Sequence, residues 1–192
     1  MNRLFKLKNG KIKVYFNEDP IEKDYIDYEV NDILQKNTYT IEDMFSIGVE
    51  YALHTGPRIL YGFMLAYVEP NDVNNTINVS VSYTKENVIH YENSLLVYNS
   101  DNVYKGLPEE YLEDVQQAIN NKIMCLESFP RCNLRFYSSA NCEVGSCSNF
   151  YAIIIGVIIE LICKSSPEEI ANISNERFLE KFDINLNGRG SA

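Results

Sequence analysis

Positive charge is scarce in this chain. Its 192 residues hold 17 Lys and Arg against 27 Asp and Glu, a formal net charge of −10. That balance argues against general binding of nucleic acid or of an anionic membrane, since both reward clustered Lys and Arg. No DNA and no membrane partner are predicted, although a local basic site for a phosphate is compatible with the balance. Long apolar runs are also lacking. The longest, Phe150 to Ile159, is followed by Glu160 and three more apolar residues, too short to span a bilayer and suited to a buried helix. No CxxC pair occurs among Cys125, Cys132, Cys142, Cys147 and Cys163. A zinc set drawn from the first four matches no familiar ligand spacing, and no metal site is predicted. No secretory signal opens the chain, because Met1 to Lys13 is basic and broken by Asn9-Gly10. The reading is a cytoplasmic protein with reduced thiols, in which the sequons at Asn78 and Asn172 carry no meaning. Histidine occurs twice, at His54 and His90. With no acid or nucleophile visibly placed beside either, both are assigned to the surface. No internal repeat or low-complexity tract stands out.

What remains is an ordinary globular composition, 45% apolar and 23% charged. Leu4 to Phe16 reads as a hairpin around Asn9-Gly10, and Asn17 to Thr38 as a polar surface connection. The domain division is therefore an N-terminal hairpin and linker over 1–38 and a main domain over 39–192. Thr40 to Asp43 offers a helix start. Phe45, Ile47, Val49, Tyr51 and Leu53, however, alternate with Ser46, Gly48, Glu50, Ala52 and His54, which predicts a strand with one apolar face. Strands are also expected over Ile59–Glu69, Ile77–Tyr83, Val88–Tyr98 and Cys132–Tyr137. Pro108 to Met124 is a helix, with Pro108 in its first turn, Glu109 and Glu110 at its positive end, and Leu112, Val115, Ile119 and Ile123 at helical spacing. Helices follow over about Asn149–Lys164 and from Ser166, the latter with Ser166 as N-cap. The class is α+β, with a mixed or antiparallel sheet of about four to five strands and helices packed on one face.

The segment with chemical content is Asn141-Cys142-Glu143-Val144-Gly145-Ser146-Cys147-Ser148-Asn149-Phe150. A strand feeds a small-residue turn, and the turn feeds a buried helix. The first N–H groups of a helix lack partners within it, and its dipole is positive there. A turn of Gly and Ser lets an anion approach and adds hydroxyl donors. Val144, Gly145, Ser146, Cys147, Ser148 and Asn149 are the candidate phosphate-binding residues, with Arg58 as a clamp. The bland alternative is an ordinary helix capped by Ser146 or Ser148. Cys147, and less so Cys142, is a candidate reactive thiol, because a helix N-terminus lowers a thiol pKa. Catalytic residues are not identified. Arg189, near the chain end, is read as solvated.

This turn resembles the glycine- and serine-rich phosphate loop of the GHMP kinase superfamily, and within it is most similar to the β-ribofuranosylaminobenzene 5′-phosphate synthase family. Gly56-Pro57-Arg58 with Gly62, Val68-Glu69-Pro70, Ser166 to Ile170 and Gly188-Arg189-Gly190-Ser191 resemble further family stretches, in the same order, over about Phe45 to Ala192. The resemblance implies a fold like the second domain of ribosomal protein S5. It implies a phosphorylated ligand such as a sugar phosphate, phosphoribosyl pyrophosphate or ATP, the last two with Mg²⁺. It also implies phosphoribosyl-type transferase chemistry in methanopterin biosynthesis, or a small-molecule kinase. The sequence departs from the family at Glu143 and Cys147, which stand at loop glycines, and at Asn141, which stands at a His. A carboxylate about 4 Å from a guest anion repels it by roughly 4 kcal/mol at an effective dielectric near 20. The chain also stops where the family's C-terminal half would begin. That predicts a truncated homologue, or completion by a homo-oligomer or a partner chain. The alternatives are a non-catalytic binding or assembly module that kept the fold, and a ribosome-associated module. The last rests on Gly106-Leu107-Pro108-Glu109-Glu110-Tyr111, which resembles domain IV of elongation factor G.

Overall fold

A computed structural model describes residues 1–21, 27–34, 38–71, 76–86, 89–91, 96, 102–164 and 167–181. The strands are β1 (Asn2–Lys6), β2 (Gly10–Phe16), β3 (Asp27–Leu34), β4 (Thr38–Tyr39), β5 (Phe45–Thr55), β6 (Arg58–Pro70), β7 (Thr76–Tyr83), β8 (Val103–Lys105), β9 (Phe129–Pro130) and β10 (Cys132–Cys142). The helices are α1 (Leu112–Met124), α2 (Ser148–Lys164), α3 (Pro167–Asn172) and α4 (Asn175–Lys181). The class is α+β, with a mostly antiparallel sheet.

Seven strands run in the order β1-β2-β5-β6-β10-β7-β3, and β8 pairs with the end of β10 to make an eight-stranded sheet. β10 is antiparallel to β6 and parallel to β7, and α1 lies between β7 and β10 in the chain. β4 and β9 form a separate short parallel pair. The sheet is larger than the four to five strands expected, because residues assigned to a surface connection supply β3, which pairs along its length with β7. The N-terminal hairpin joins the same sheet through β2 and β5. It turns around Lys8-Asn9, where the Leu7 N–H donates to the Gly10 carbonyl at 2.9 Å. The strand expected over Val88–Tyr98 falls largely outside the described residues. Its described part holds one bridge, between His90 and Tyr104. Thr40 to Asp43 is not helical, and the Pro108 helix begins with a 3-10 turn at Glu109–Tyr111.

α1 and α2 run side by side on one face. Tyr111 and Tyr151 meet near their starts, with ring centroids 5.8 Å apart, and Lys122 pairs with Glu160 near their ends. The helix-side core joins Ile47, Val49 and Tyr51 of β5 to Phe150, Ile154 and Ile158 of α2 and to Val115, Ile119 and Ile123 of α1. α4 reaches the hairpin, where Phe178 stacks on Phe5 at 3.8 Å between centroids. Full burial of one such side chain contributes about 1.5–3 kcal/mol.

The opposite face is covered as well. Ile21, Tyr91, Leu96 and Val103 form a second core with Tyr61, Phe63, Leu65, Ala140 and Cys142. The polar side expected for β5 is therefore not solvated: Ser46, Glu50 and Ala52 are buried. Alternation reports two faces but cannot say that a second layer covers one of them.

Candidate functional site

The turn between β10 and α2 leans on the first residues of β6. The Tyr61 N–H donates to the Gly145 carbonyl at 3.0 Å. A Cβ on Gly145 would run into the Ile59 carbonyl oxygen, so only glycine fits there. Ser146 closes the junction. Its Oγ accepts the Cys142 N–H at 2.7 Å and donates to the Tyr61 carbonyl at 2.7 Å. The Gly145 and Ser146 amides both turn back to the Cys142 carbonyl, at 3.2 and 3.0 Å. The Tyr111 hydroxyl donates to the Ser146 carbonyl at 3.1 Å. These groups, expected to greet an anion, are engaged in tying β10, β6 and the helix starts together.

The other members of the predicted set lie as follows. Val144 is 77% exposed. Cys147 is half-buried, and its carbonyl accepts the Phe150 and Tyr151 N–H groups at 3.0 and 3.3 Å, which makes it the start of α2. Ser148 and Asn149 then occupy the first helical positions, whose amides have no partner within the helix. Arg58 is exposed at the start of β6, and strand alternation sets it on the same face as Leu60, which packs on the helix-side core. One end of the sheet thus carries both Arg58 and the N-terminus of α2. Glu143 is exposed, and its carboxylate accepts from Asn102 Nδ2 at 3.2 Å.

Asn141, which stands where the resembling family has His, is buried, and its Nδ2 donates to the Gly106 carbonyl at 3.0 Å. Gly106 has φ of 102°, and a Cβ there would sit 2.7 Å from the Thr84 methyl. The Gly106 to Tyr111 stretch therefore has a local structural reason for its glycine. Tyr151 donates to the Ala140 carbonyl at 2.9 Å, and burial pushes its phenol up. Cys132 belongs to the helix-side core and Cys142 to the opposite one, so the sheet separates them. No group of three His, Cys, Asp or Glu among the described residues is placed to hold a metal ion. His54 and His90 are both exposed, and His90 packs against Tyr104 at 4.6 Å. Ser166 and Arg189 lie outside the described residues.

Sequence reasoning missed the polar centre of the second core. Glu50 is fully buried and accepts from Tyr15 Oη at 2.7 Å and Tyr61 Oη at 3.0 Å. Burial, then the Glu50 charge, pushes the Tyr15 phenol up. Nearby, Asp19 accepts from Tyr67 Oη at 2.8 Å, Ser138 Oγ at 2.7 Å and the Ile21 N–H at 3.0 Å. The only sequence signal was a carboxylate in mid-strand, and its partners lie 35 and 11 residues away.

Among the described residues no helix is long and apolar enough to cross a membrane. No family model, curated protein or solved structure matches the chain.

Proposed function

We propose that this protein is a non-catalytic binding or assembly module, built on an α+β scaffold of the ribosomal protein S5 domain 2 type. The observation that carries the reading is the Ser146 hydroxyl, which both accepts from Cys142 and donates to Tyr61. A hydroxyl committed at both ends is a poor donor to a phosphate, because a new bond would require an existing one to break. The scaffold assignment draws support from the element order β5, β6, β7, α1, β10, α2, with the short β8 and a 3-10 turn before α1 and the short β9 before β10.

A second reading, a site for a phosphorylated small molecule, is favoured by one arrangement: Arg58 and the amides at the start of α2 share one face and end of the sheet. Thermal unfolding with phosphoribosyl pyrophosphate, ATP or pyrophosphate, each with Mg²⁺, separates the two. The module reading expects no shift with any of them. A stabilisation of about 2.7 kcal/mol at a hundred times the dissociation constant would transfer the assignment to the second reading.

A further inference from the structure

The two outermost strands of the main sheet differ in charge. β1 contains Arg3 and Lys6 and no acid, whereas β3 contains Asp27, Glu29 and Asp32 and no Lys or Arg. β1 pairs with β2 and β3 with β7, and among the described residues no strand pairs with the outer edge of either. The backbone bonds of Met1 with Phe16 and of Leu7 with Gly10 fix the phase of the β1–β2 ladder. By alternation Arg3 and Phe5 also bond inward, which points the N–H and C=O groups of Asn2, Leu4 and Lys6 outward. All three of these residues are exposed. From β1 across to β3, five of the six strand pairings are antiparallel and one is parallel, so β1 and β3 run in opposite directions. A second copy set beside the first, with its helices on the same side, therefore brings its β1 antiparallel to β3.

We propose that β1 of one copy of this chain adds to β3 of the next, so that the sheet continues from copy to copy. The inference rests on the assembly side of the module reading and names its partner. Charge selects this pairing. β1 against β1 sets Arg3 and Lys6 beside their own kind, and β3 against β3 does the same with three acids, whereas β1 against β3 brings unlike charges together. The charges that guard each edge against itself thus leave the mixed pairing open. The helix layer also has room. Beside β3 a surface groove is lined by Ile33 and Val79 from the sheet and by Glu113, Gln116, Ile119 and Asn120 from α1. On the same side of the sheet α4 lies over β1, held by the Phe5–Phe178 stack, and Arg3 donates to the Ile173 carbonyl just before it at 2.6 Å. In the joined sheet β7 and the copy's β1 are two strand spacings apart, about 10 Å. That is the usual distance between packed helices, so α4 of the copy enters the groove beside α1. The contact is head-to-tail, and each step is turned by the sheet twist, so growth leaves an open end.

The test is sedimentation velocity of the full chain over a wide range of concentration. The expected result is a 22.1 kDa monomer that gives way to successive multiples as concentration rises. Leu4→Pro removes an outward N–H, a change that an edge strand tolerates, and is expected to abolish this growth. Asp27→Lys with Asp32→Lys is expected to abolish it from the other edge. An equimolar mixture of these two variants restores a dimer and nothing larger, because each supplies the edge that the other lacks. Lys6→Glu weakens association roughly fivefold and decides the matter should a strand variant fail to fold, which melting and circular dichroism report. Dimers of the β3 variant alone would assign a β1–β1 contact, and dimers of Leu4→Pro alone a β3–β3 contact; either overturns the proposal. So does association indifferent to all of these changes, or a monomer at every concentration. Binding of a lysine-rich extended peptide to such a monomer would give the edge of β3 a different occupant. In each of those cases the module reading stands, because it falls only to a thermal shift with the small phosphorylated ligands.

Discussion

Tyr15 Oη lies 2.7 Å from Glu50 Oε2 and donates to it beneath the cover of the second core, while Tyr61 Oη donates to Oε1 from 3.0 Å. Glu50 is fully buried, and Lys13 stands directly across the strand pair. The carboxylate is the acceptor that lets two phenols enter an apolar layer. Glu50→Ala leaves both hydroxyls without it and is expected to cost about 2–6 kcal/mol, at about 1–3 kcal/mol for each buried group. Glu50→Gln keeps one acceptor oxygen and costs less, about 1–2 kcal/mol by the same reasoning. Urea unfolding measures both. Equal and small losses would mean that the phenols find other partners.

The Ser146 hydroxyl supports a similar prediction on the other face. Ser146→Ala removes an acceptor from Cys142 and a donor to Tyr61 and is expected to destabilise by about 1–3 kcal/mol. Ser148→Ala, two residues on in the first turn of α2, is expected to stay within about 0.5 kcal/mol of the parent, as surface changes do. A ligand-binding serine would show the reverse, with little change in melting at either position and a loss of response to phosphorylated ligands.

Two glycines separate close approach from open space. A Cβ on Gly145 meets the Ile59 carbonyl oxygen, which belongs to backbone and cannot rotate away. Gly145→Ala should cost about 1–3 kcal/mol through forced displacement of the turn. Gly156 lies inside α2 with nothing within 4 Å of an added Cβ. Gly156→Ala should therefore stabilise by about 0.4–1 kcal/mol, by lowering the entropy of the unfolded chain and favouring helix. Parallel denaturation curves of the two variants test the contrast, and a destabilised Gly156→Ala would show that this stretch of α2 needs glycine for another reason.

The parts of the fold that were legible in the sequence are those set by local rules. Pro108, the two glutamates after it and the apolar spacing from Leu112 to Ile123 announce α1, and the unbroken apolar stretch after Phe150 announces a buried α2. β3 was hidden because Asp27, Glu29 and Asp32 interrupt its apolar residues, a pattern that suits an edge strand but reads as a loop. Glu50 was misread because period two gives faces without saying what lies above them. The small-residue turn was visible, but the direction of the Ser146 hydroxyl depends on Tyr61, 85 residues away. The basic hairpin was visible as composition. Its place beside the β5–β6 turn depends on the pairing of β2 with β5, which no local pattern encodes.

Alkaline pH tests both cores at once. Burial, then the neighbouring Cys163 thiolate, pushes the Cys132 thiol from its ordinary 9.0 up to about 12. Burial pushes the Tyr51 phenol from 10.0 up to about 12, and burial with Glu50 pushes Tyr15 up as well. Each folded pKa lies above the unfolded one, so the contribution is fully present below the unfolded value and is lost as pH rises towards the folded value. The window for Cys132 and Tyr51 opens at 9.0 and 10.0 and extends to about 12. Each such group withdraws about 1.4 kcal/mol per pH unit within it. By pH about 12, Cys132, Tyr51 and Tyr15 together withdraw about 10 kcal/mol, a loss that lies within the usual domain stability of about 5–15 kcal/mol. Tyrosinate absorbance and far-ultraviolet circular dichroism should therefore change together in one cooperative step below pH about 12. Exposed tyrosines will titrate earlier and give a sloping baseline. A smooth titration of every phenol near pH 10.0, with secondary structure intact, would show that Tyr15 and Tyr51 are reached by water in the folded state.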